Sequence, residues 1–157
     1  MREVVFRRGV PEDAAAIAEL EILCFSSPWS RDALEKELTE NPVARYFIGE
    51  AEGRTVAYAG LWLVVDQGHI INVAVHPAFR RQGLGKALIR EMLRQTDQEG
   101  VTAYTLEVRL SNAAALALYQ GFDFYVAGIR KNYYEEPVED ALILWRGSPD
   151  GEAKHIL

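Results

Sequence analysis

The sequence predicts an α/β (α+β) fold: a mixed, mostly antiparallel sheet of six to seven strands, a parallel βαβ unit at its centre and about four helices. Three observations lead there. Ile70 to Val75 is an apolar, β-branched run of strand length, and from Lys86 a helical pattern follows, with Leu88, Ile89, Met92 and Leu93 on one face. A further strand pattern, Val101 to Val108, comes after that helix, so the two strands flank a crossover and should run parallel. Ahead of this unit, Ala44 to Glu50 and Arg54 to Val65 read as strands joined at Glu52-Gly53, a hairpin signal that makes the early part antiparallel.

The remaining elements follow in order. Val4 to Arg8 reads as a first strand. Pro11-Glu12-Asp13 opens a helix with acidic residues in its first turn, where the helix dipole favours them. Ala15, Ile17, Ala18, Leu20, Ile22 and Leu23 supply that helix's apolar face. Phe25 to Ser30 breaks it, and Ser30 caps a second helix over Arg31 to Thr39 that ends before Asn41-Pro42. Asp66-Gln67-Gly68 reads as the turn into the central strand. Gly100 ends the helix that began at Lys86. On the strand from Val101, Thr102, Tyr104, Leu106 and Val108 share one face and Glu107 points to the other. Ser111 and Asn112 can cap a short helix, Ala113 to Gln120. Phe122 to Arg130 and Ala141 to Arg146 are the last strands, with Asn132 to Asp140 as the loop between them. The whole reads as a single domain over residues 4–146. Gly147 to Leu157, polar with two glycines and a proline, is expected to be a flexible tail.

The chemistry concentrates between the central strand and the helix after it. His76-Pro77 ends the strand, because proline cannot donate to a ladder and disfavours helix at the residue before it. Arg80-Arg81-Gln82 then leads into Gly83-Leu84-Gly85-Lys86. Strand, basic glycine-rich turn and helix start make an arrangement that binds phosphate. The glycines allow close approach, the first helical amides are free, and the dipole favours an anion. A tight turn with no ligand would use the same glycines. A dinucleotide fingerprint fits poorly, since Leu88 stands where its third glycine belongs.

Composition narrows the classes. The chain has 157 residues, 49% of them hydrophobic and 25% charged, which suits one domain with a substantial core. A net charge of −6 argues against a general nucleic-acid binder but leaves room for a basic protein or peptide substrate. The single cysteine, Cys24, excludes an internal disulfide framework and reads as a small core residue of the first helix. No run approaches the ~18 apolar residues of a membrane span, and Met1 to Val10 holds no secretory core. A cytoplasmic protein without membrane contact is expected. His76 reads as a surface turn residue. His69 and His155 lack partners at ligand spacing, so no metal site is expected.

Val73-Ala74-Val75-His76-Pro77 followed by Arg80-Arg81-Gln82-Gly83-Leu84-Gly85 resembles the acetyl-coenzyme A signature of the GCN5-related N-acetyltransferases (GNAT), whose usual pattern is Q/R-x-x-G-x-G/A. Further pieces resemble one subfamily, the ribosomal-protein-alanine N-acetyltransferases. They are Phe25 with Pro28-Trp29-Ser30, Leu106-Glu107-Val108-Arg109 with Ser111-Asn112, Ala117-Leu118-Tyr119, Arg130 to Tyr134, and Glu139-Asp140-Ala141. Where the family usually carries glycine before phenylalanine, this chain has Asp123 before Phe124, and aspartate enters the left-handed turn region more readily than most residues.

The resemblance implies a GNAT fold and acetyl-coenzyme A as cosubstrate. It implies that Arg81, Gln82, Gly83, Leu84, Gly85 and Lys86 hold the pyrophosphate, and that Val73, Ala74 and Val75 pair with the pantetheine arm. A Val75 amide would face the thioester oxygen. Asn112 would also touch the coenzyme, though locally it reads equally as a helix cap. Glu107 is implied as general base, with a pKa raised by a partly apolar cleft, and Tyr119 as general acid. Without the resemblance they would read as a solvated strand glutamate and a core aromatic. Trp29, Arg130, Tyr133, Tyr134 and Asp140 would shape the slot for a protein N-terminus. The implied acceptor is the N-terminal alanine of small-subunit ribosomal protein eighteen, with a lysine or small amine, or coenzyme binding without turnover, as alternatives. A monomer is expected.

Overall fold

The computed structural model describes residues 3–147. Seven strands form one sheet in the order β1-β2-β3-β4-β5-β7-β6, with β1 Val4–Arg8, β2 Ala44–Ala51, β3 Arg54–Val64, β4 Gln67–Val75, β5 Ala103–Arg109, β6 Tyr125–Glu135 and β7 Val138–Gly147. Every neighbouring pair is antiparallel except β4 and β5. The helices are α1 Ala14–Cys24, α2 Arg31–Thr39, α3 Leu84–Gln98 and α4 Ala113–Gln120.

The central strands are buried on both faces because helices cover both. Phe47, Ala57, Ala59 and Leu61 pack with Leu88, Ile89 and Met92 of α3 on one side. The alternate residues Tyr46, Ile48 and Tyr58 pack with Ile17 and Leu20 of α1 and Leu34 of α2 on the other. Period-two alternation thus feeds two cores. The expected short strand before α1 and the expected crossover through α3 are both present.

Boundaries differ where polar residues hide pairing. The β3–β4 turn is Val65-Asp66, with Val65 left-handed at φ 58°, and Gln67 and Gly68 already belong to β4. The loop expected at Asn132 to Asp140 is instead mostly strand. Tyr134 pairs with Glu139 and Glu135 with Val138, after a bulge that leaves Asn132 at φ 54°. This hairpin lies on the sheet's outer edge, so its exposed residues carry no hydrophobic alternation. Gly147 ends β7, whereas the rest of the expected tail, residues 148–157, lies outside the described residues. Helix α3 begins at Leu84, two residues before the periodicity shows it. Asp123 takes the left-handed conformation at φ 69°, as its position required.

The start of α1 is held differently from the expectation of acidic residues on a helix dipole. Pro11–Asp13 is a 3-10 turn, and the Asp13 carboxylate accepts from Arg7 at 2.8 and 2.7 Å and from the Val10 amide at 2.8 Å. Glu50 of β2 accepts from Arg7 Nε at 2.7 Å. The Arg7 hydrogen bonds hold the Asp13 carboxyl below its ordinary range. Its folded pKa is therefore below its unfolded value, and the stabilisation is present above about pH 4 and lost as pH falls through the folded value. Asp13→Asn should lower unfolding free energy by roughly 1–3 kcal/mol at pH 7. In urea denaturation the gap to the parent should narrow below about pH 4.

Candidate active site

The parallel pair β4–β5 holds register for only three steps, Gln67↔Ala103, Gly68↔Tyr104 and His69↔Thr105. Beyond them the strands part. β4 stays paired to β3 through Val75, and β5 stays paired to β7 through Arg109. The wedge between them is a cleft of about 660 Å³. Asn72 and Val73 of β4 line one wall and Leu106, Glu107 and Arg109 of β5 the other, while Tyr119 and Asn112 enter from α4. A β-bulge at Ile71 accompanies the divergence, since Gly60 faces Asn72 while Leu61 faces Ile70.

The β4 edge presents usable amides. His76 N–H donates to Val56 O on β3 at 2.8 Å. By strand alternation the Val73 and Val75 N–H groups therefore point away from β3, toward the cleft. The Asn72 side-chain oxygen accepts from the Val73 amide at 3.1 Å. The Val75 carbonyl accepts from Arg80 Nε at 3.0 Å and from the Cys24 thiol at 3.4 Å. Cys24 therefore sits against the sheet, as a small packed residue should.

At the end of β4 the chain makes a 3-10 turn, Pro77–Phe79, capped by His76 Nδ1 accepting from Ala78 N–H at 3.0 Å. Arg81 then adopts φ 62° and Gly83 φ 75°. Left-handed residues flanking ordinary ones turn successive amides to one side, the geometry of an anion nest. The first hydrogen bond into α3 is Ala87 N–H to Gly83 O. The amides from Gln82 to Lys86 donate to no acceptor among the described residues. A Cβ built on Gly83 meets nothing within 4 Å, and one on Gly85 meets only Val75 Cγ2 at 3.5 Å. The amide cradle is therefore open. A second cavity of about 280 Å³ lies over it, bordered by Val75, Arg80, Arg81, Gly85, Lys86 and Leu118. Arg81 and Lys86 form no ion pair among the described residues, so their charge is available to an anion.

Glu107 points into the cleft with its side chain 12% exposed and Oε1 at 2.9 Å from His69 Nε2. The hydrogen bond from His69 holds its carboxyl below the ordinary range, outweighing burial, which pushes it up. The raised pKa expected for this residue is thus corrected by a neighbour on β4. Tyr119 is 6% exposed and packs edge-on against Phe124 at 5.4 Å between ring centroids. Burial pushes its ionisation well above the ordinary tyrosine value, so it keeps its proton. Among the described residues its hydroxyl has no hydrogen-bond partner and no buried side-chain polar atom is left unsatisfied, so the hydroxyl opens onto the cleft.

The other expected residues divide. Trp29 lines the cleft, and its backbone N–H donates to Glu21 Oε1 at 2.8 Å. Tyr133 and Tyr134 line it too, their rings perpendicular at 5.0 Å. Asn112 caps α4 by accepting from Ala115 N–H at 3.0 Å and lines the cleft as well, so both of its readings hold spatially. Arg130 is exposed and lies 5.8 Å from the Tyr133 ring, outside the cleft wall. Asp140 accepts from the Asn132 amide at 2.8 Å and braces the β6 bulge rather than lining the cleft.

Three residues have contacts here that the sequence reading does not assign. Glu21 is fully buried where Ile22 and Leu23 were expected, and those two are 69% and 53% exposed. Its carboxylate accepts from Tyr58 OH, from Asn72 Nδ2 at 2.8 Å and from the Trp29 amide, so α1 turns this face inward. Arg109 donates to Pro137 O at 2.9 Å and Glu139 at 3.2 Å and stacks 4.3 Å over Tyr134, fixing the hairpin tip beside the cleft. In the sequence His69 is notable only for lacking a partner at metal-ligand spacing. Its pairing with Glu107 depends on the parallel register, which sequence periodicity does not encode.

Splayed parallel strands, an amide-lined turn at one end, and a buried tyrosine and a carboxylate lining the same cleft are features that suit acyl transfer. Comparison with known proteins agrees. The family model described as the acetyltransferase (GNAT) family matches residues 14–124, and the chain belongs to that family. It is 39% identical over 136 residues to the [ribosomal protein bS18]-alanine N-acetyltransferase of Escherichia coli K12, covering 84% of this chain and 89% of that protein. It is 35% identical over 144 residues to the N-alpha-acetyltransferase RimI of Mycobacterium tuberculosis, covering 88% and 89%. The crystal structure of the ribosomal-protein-S18-alanine N-acetyltransferase from Escherichia coli superposes with a TM-score of 0.86 at 32% identity, covering 99% of each chain. The chain is an acetyltransferase.

The geometry around Glu107 gives a direct expectation. In carbon-13 NMR the Glu107 carboxyl should titrate below the ordinary glutamate value of about 4.3, and His69→Ala should move it upward. An unchanged value in the variant would remove His69 as the cause.

Proposed function

We propose that this chain transfers acetyl from acetyl-coenzyme A to the N-terminal α-amine of a protein, with the N-terminal alanine of ribosomal protein bS18 as acceptor. The observation that carries the reading is the wedge between β4 and β5, lined by Glu107 and Tyr119, together with the open amide cradle at Gln82–Lys86 beyond the end of β4. The names of the relatives support the acceptor.

The residues fit the coenzyme. The Gln82 to Lys86 amides and the charges of Arg81 and Lys86 suit a pyrophosphate at a helix start. The edge from Val73 to Val75, which no strand pairs, suits an extended amide-bearing arm that adds on as a strand, displacing the Asn72 side chain from the Val73 amide. The coenzyme supplies a thioester carbonyl open to attack by an amine. The Val75 N–H stabilises the negative charge that grows on the attacked oxygen.

Glu107 takes the proton that the attacking nitrogen sheds, directly or through a water. Its depressed pKa keeps it ionised at neutral pH. An α-amine, with a pKa near ~8, is already partly neutral there and needs only this modest base, whereas a lysine near ~10.4 would need more. Tyr119, held neutral by burial, protonates the departing thiolate. On the acceptor side Glu107, Glu135 and Glu136 line the cleft and outnumber Arg109, a charge balance that favours a cationic peptide start. Residues 4–146 act as one catalytic unit.

Three outcomes test this. A basic peptide with a free N-terminal alanine should release coenzyme thiol, and the same peptide with a blocked N-terminus should not; thiol release from internal lysines alone would overturn the acceptor assignment. Tyr119→Phe should lower kcat by about 10²-fold while leaving calorimetric coenzyme binding within twofold. Glu107→Gln should lose a similar factor at pH 7 and recover part of it by pH 9.5, where the amine is neutral without help. Separately, Gly85→Val should weaken coenzyme binding at least tenfold with little change in Tm, because the added branches enter the open cradle rather than the core.

A further inference from the structure

The Glu107 carboxylate has two oxygens, and the structure treats them differently. Oε1 meets His69 Nε2 at 2.9 Å, whereas Oε2 has no hydrogen-bond partner among the described residues. Against a carboxylate acceptor Nε2 is the protonated nitrogen, so His69 donates. Its other ring nitrogen, Nδ1, bonds to nothing among the described residues. Because no buried side-chain nitrogen there lacks a partner, Nδ1 faces water. The imidazole is itself confined. It stands edge-on to the Trp62 ring at 6.4 Å between centroids, and Trp62 is anchored by donating Nε1–H to Glu37 of α2 at 2.7 Å. Glu37 in turn accepts from Tyr46 OH at 3.0 Å and Asn41 Nδ2 at 2.8 Å.

We propose that His69 is a positioning residue for the transfer reaction, clamping Oε1 of Glu107 so that Oε2 is the oxygen presented to the acceptor amine. The inference rests on Glu107 serving as the base. It adds that the aim of this base is set from β4, through a chain running Glu37–Trp62–His69, and not from β5 alone. His69 pairs with Thr105, two residues before Glu107 and the last residue of β5 in register with β4, so the clamp sits where the strands part. Glu107 is in register with Ile143 of β7 but has no paired neighbour on the β4 side, and the His69 donor supplies the constraint missing there. Arg130 and Tyr134 of β6 also interact electrostatically with Glu107, and neither donates to it. In the step itself the amine N–H bond breaks and an Oε2–H bond forms, while the Nε2–H proton stays on His69.

Steady-state kinetics with acetyl-coenzyme A and a free-amine alanine peptide test this. His69→Ala should lower kcat roughly tenfold, by loss of orientation, while KM for both substrates stays within twofold. His69→Gln retains an N–H donor of similar reach and should restore kcat to within about threefold of the parent. In a Glu107→Gln background His69→Ala should cost nothing further, since there is no carboxylate left to aim. Parent-like kcat in His69→Ala, or an additive loss in the double variant, would overturn the clamp. A fall in both Ala and Gln variants with raised KM would also overturn it, as general packing damage. These results separate from failure of the underlying reading, which would show as full activity in Glu107→Gln alone.

Discussion

The structure depends on one departure from regular pairing: β4 and β5 hydrogen-bond for three residues and then separate. A parallel pair continued to the strand ends would bury the β4 edge and leave no cleft. Each strand keeps its outer partner, β3 or β7, so the separation exposes one edge of each without unravelling the sheet. The cost is unpaired backbone, which an interior tolerates only where water or a ligand can reach it. That requirement keeps the wedge open to water or to a ligand. The two helices that follow β4 and β5 then point their start and their side chains at it.

The acceptor side is organised by buried carboxylates rather than by apolar packing alone. Glu21 and Glu37 have no cationic partner among the described residues. Each is satisfied instead by neutral donors, Tyr58, Asn72 and the Trp29 amide in one case and Tyr46, Trp62 and Asn41 in the other. Such networks are costly if any member is lost, and they fix geometry for that reason. Through them the loop after α1 is tied to the bulged part of β4, and α2 is tied to β3. The cleft floor and the Glu107 clamp are therefore held by polar contacts that reach across the sheet from the helical layer.

Much of this was legible in the chain itself. The apolar run at Ile70, the glycine turn and the helical stripe of Leu88, Ile89, Met92 and Leu93 announce a strand–turn–helix unit because each obeys its own period. The edge hairpin was less legible. Tyr133 and Glu135 are exposed strand residues and Tyr134 is only half-buried, so no alternation marks them. Helix α1 misled in the opposite sense, since Ile22 and Leu23 look like core while Glu21 occupies it. Within the site, Glu107 and Tyr119 are singled out by resemblance alone, and the depressed ionisation of Glu107 is invisible in the sequence because His69 is brought beside it only by tertiary pairing.

The central claim is that the β4 edge and the α3 turn form one continuous track for the coenzyme. Amide chemical-shift mapping during a coenzyme A titration tests it most directly. The account predicts large shifts at Gly83, Leu84, Gly85 and Lys86 together with Val73 and Val75, saturating along one binding curve. Shifts confined to other surfaces, or a turn that responds while the β4 amides stay still, would contradict it.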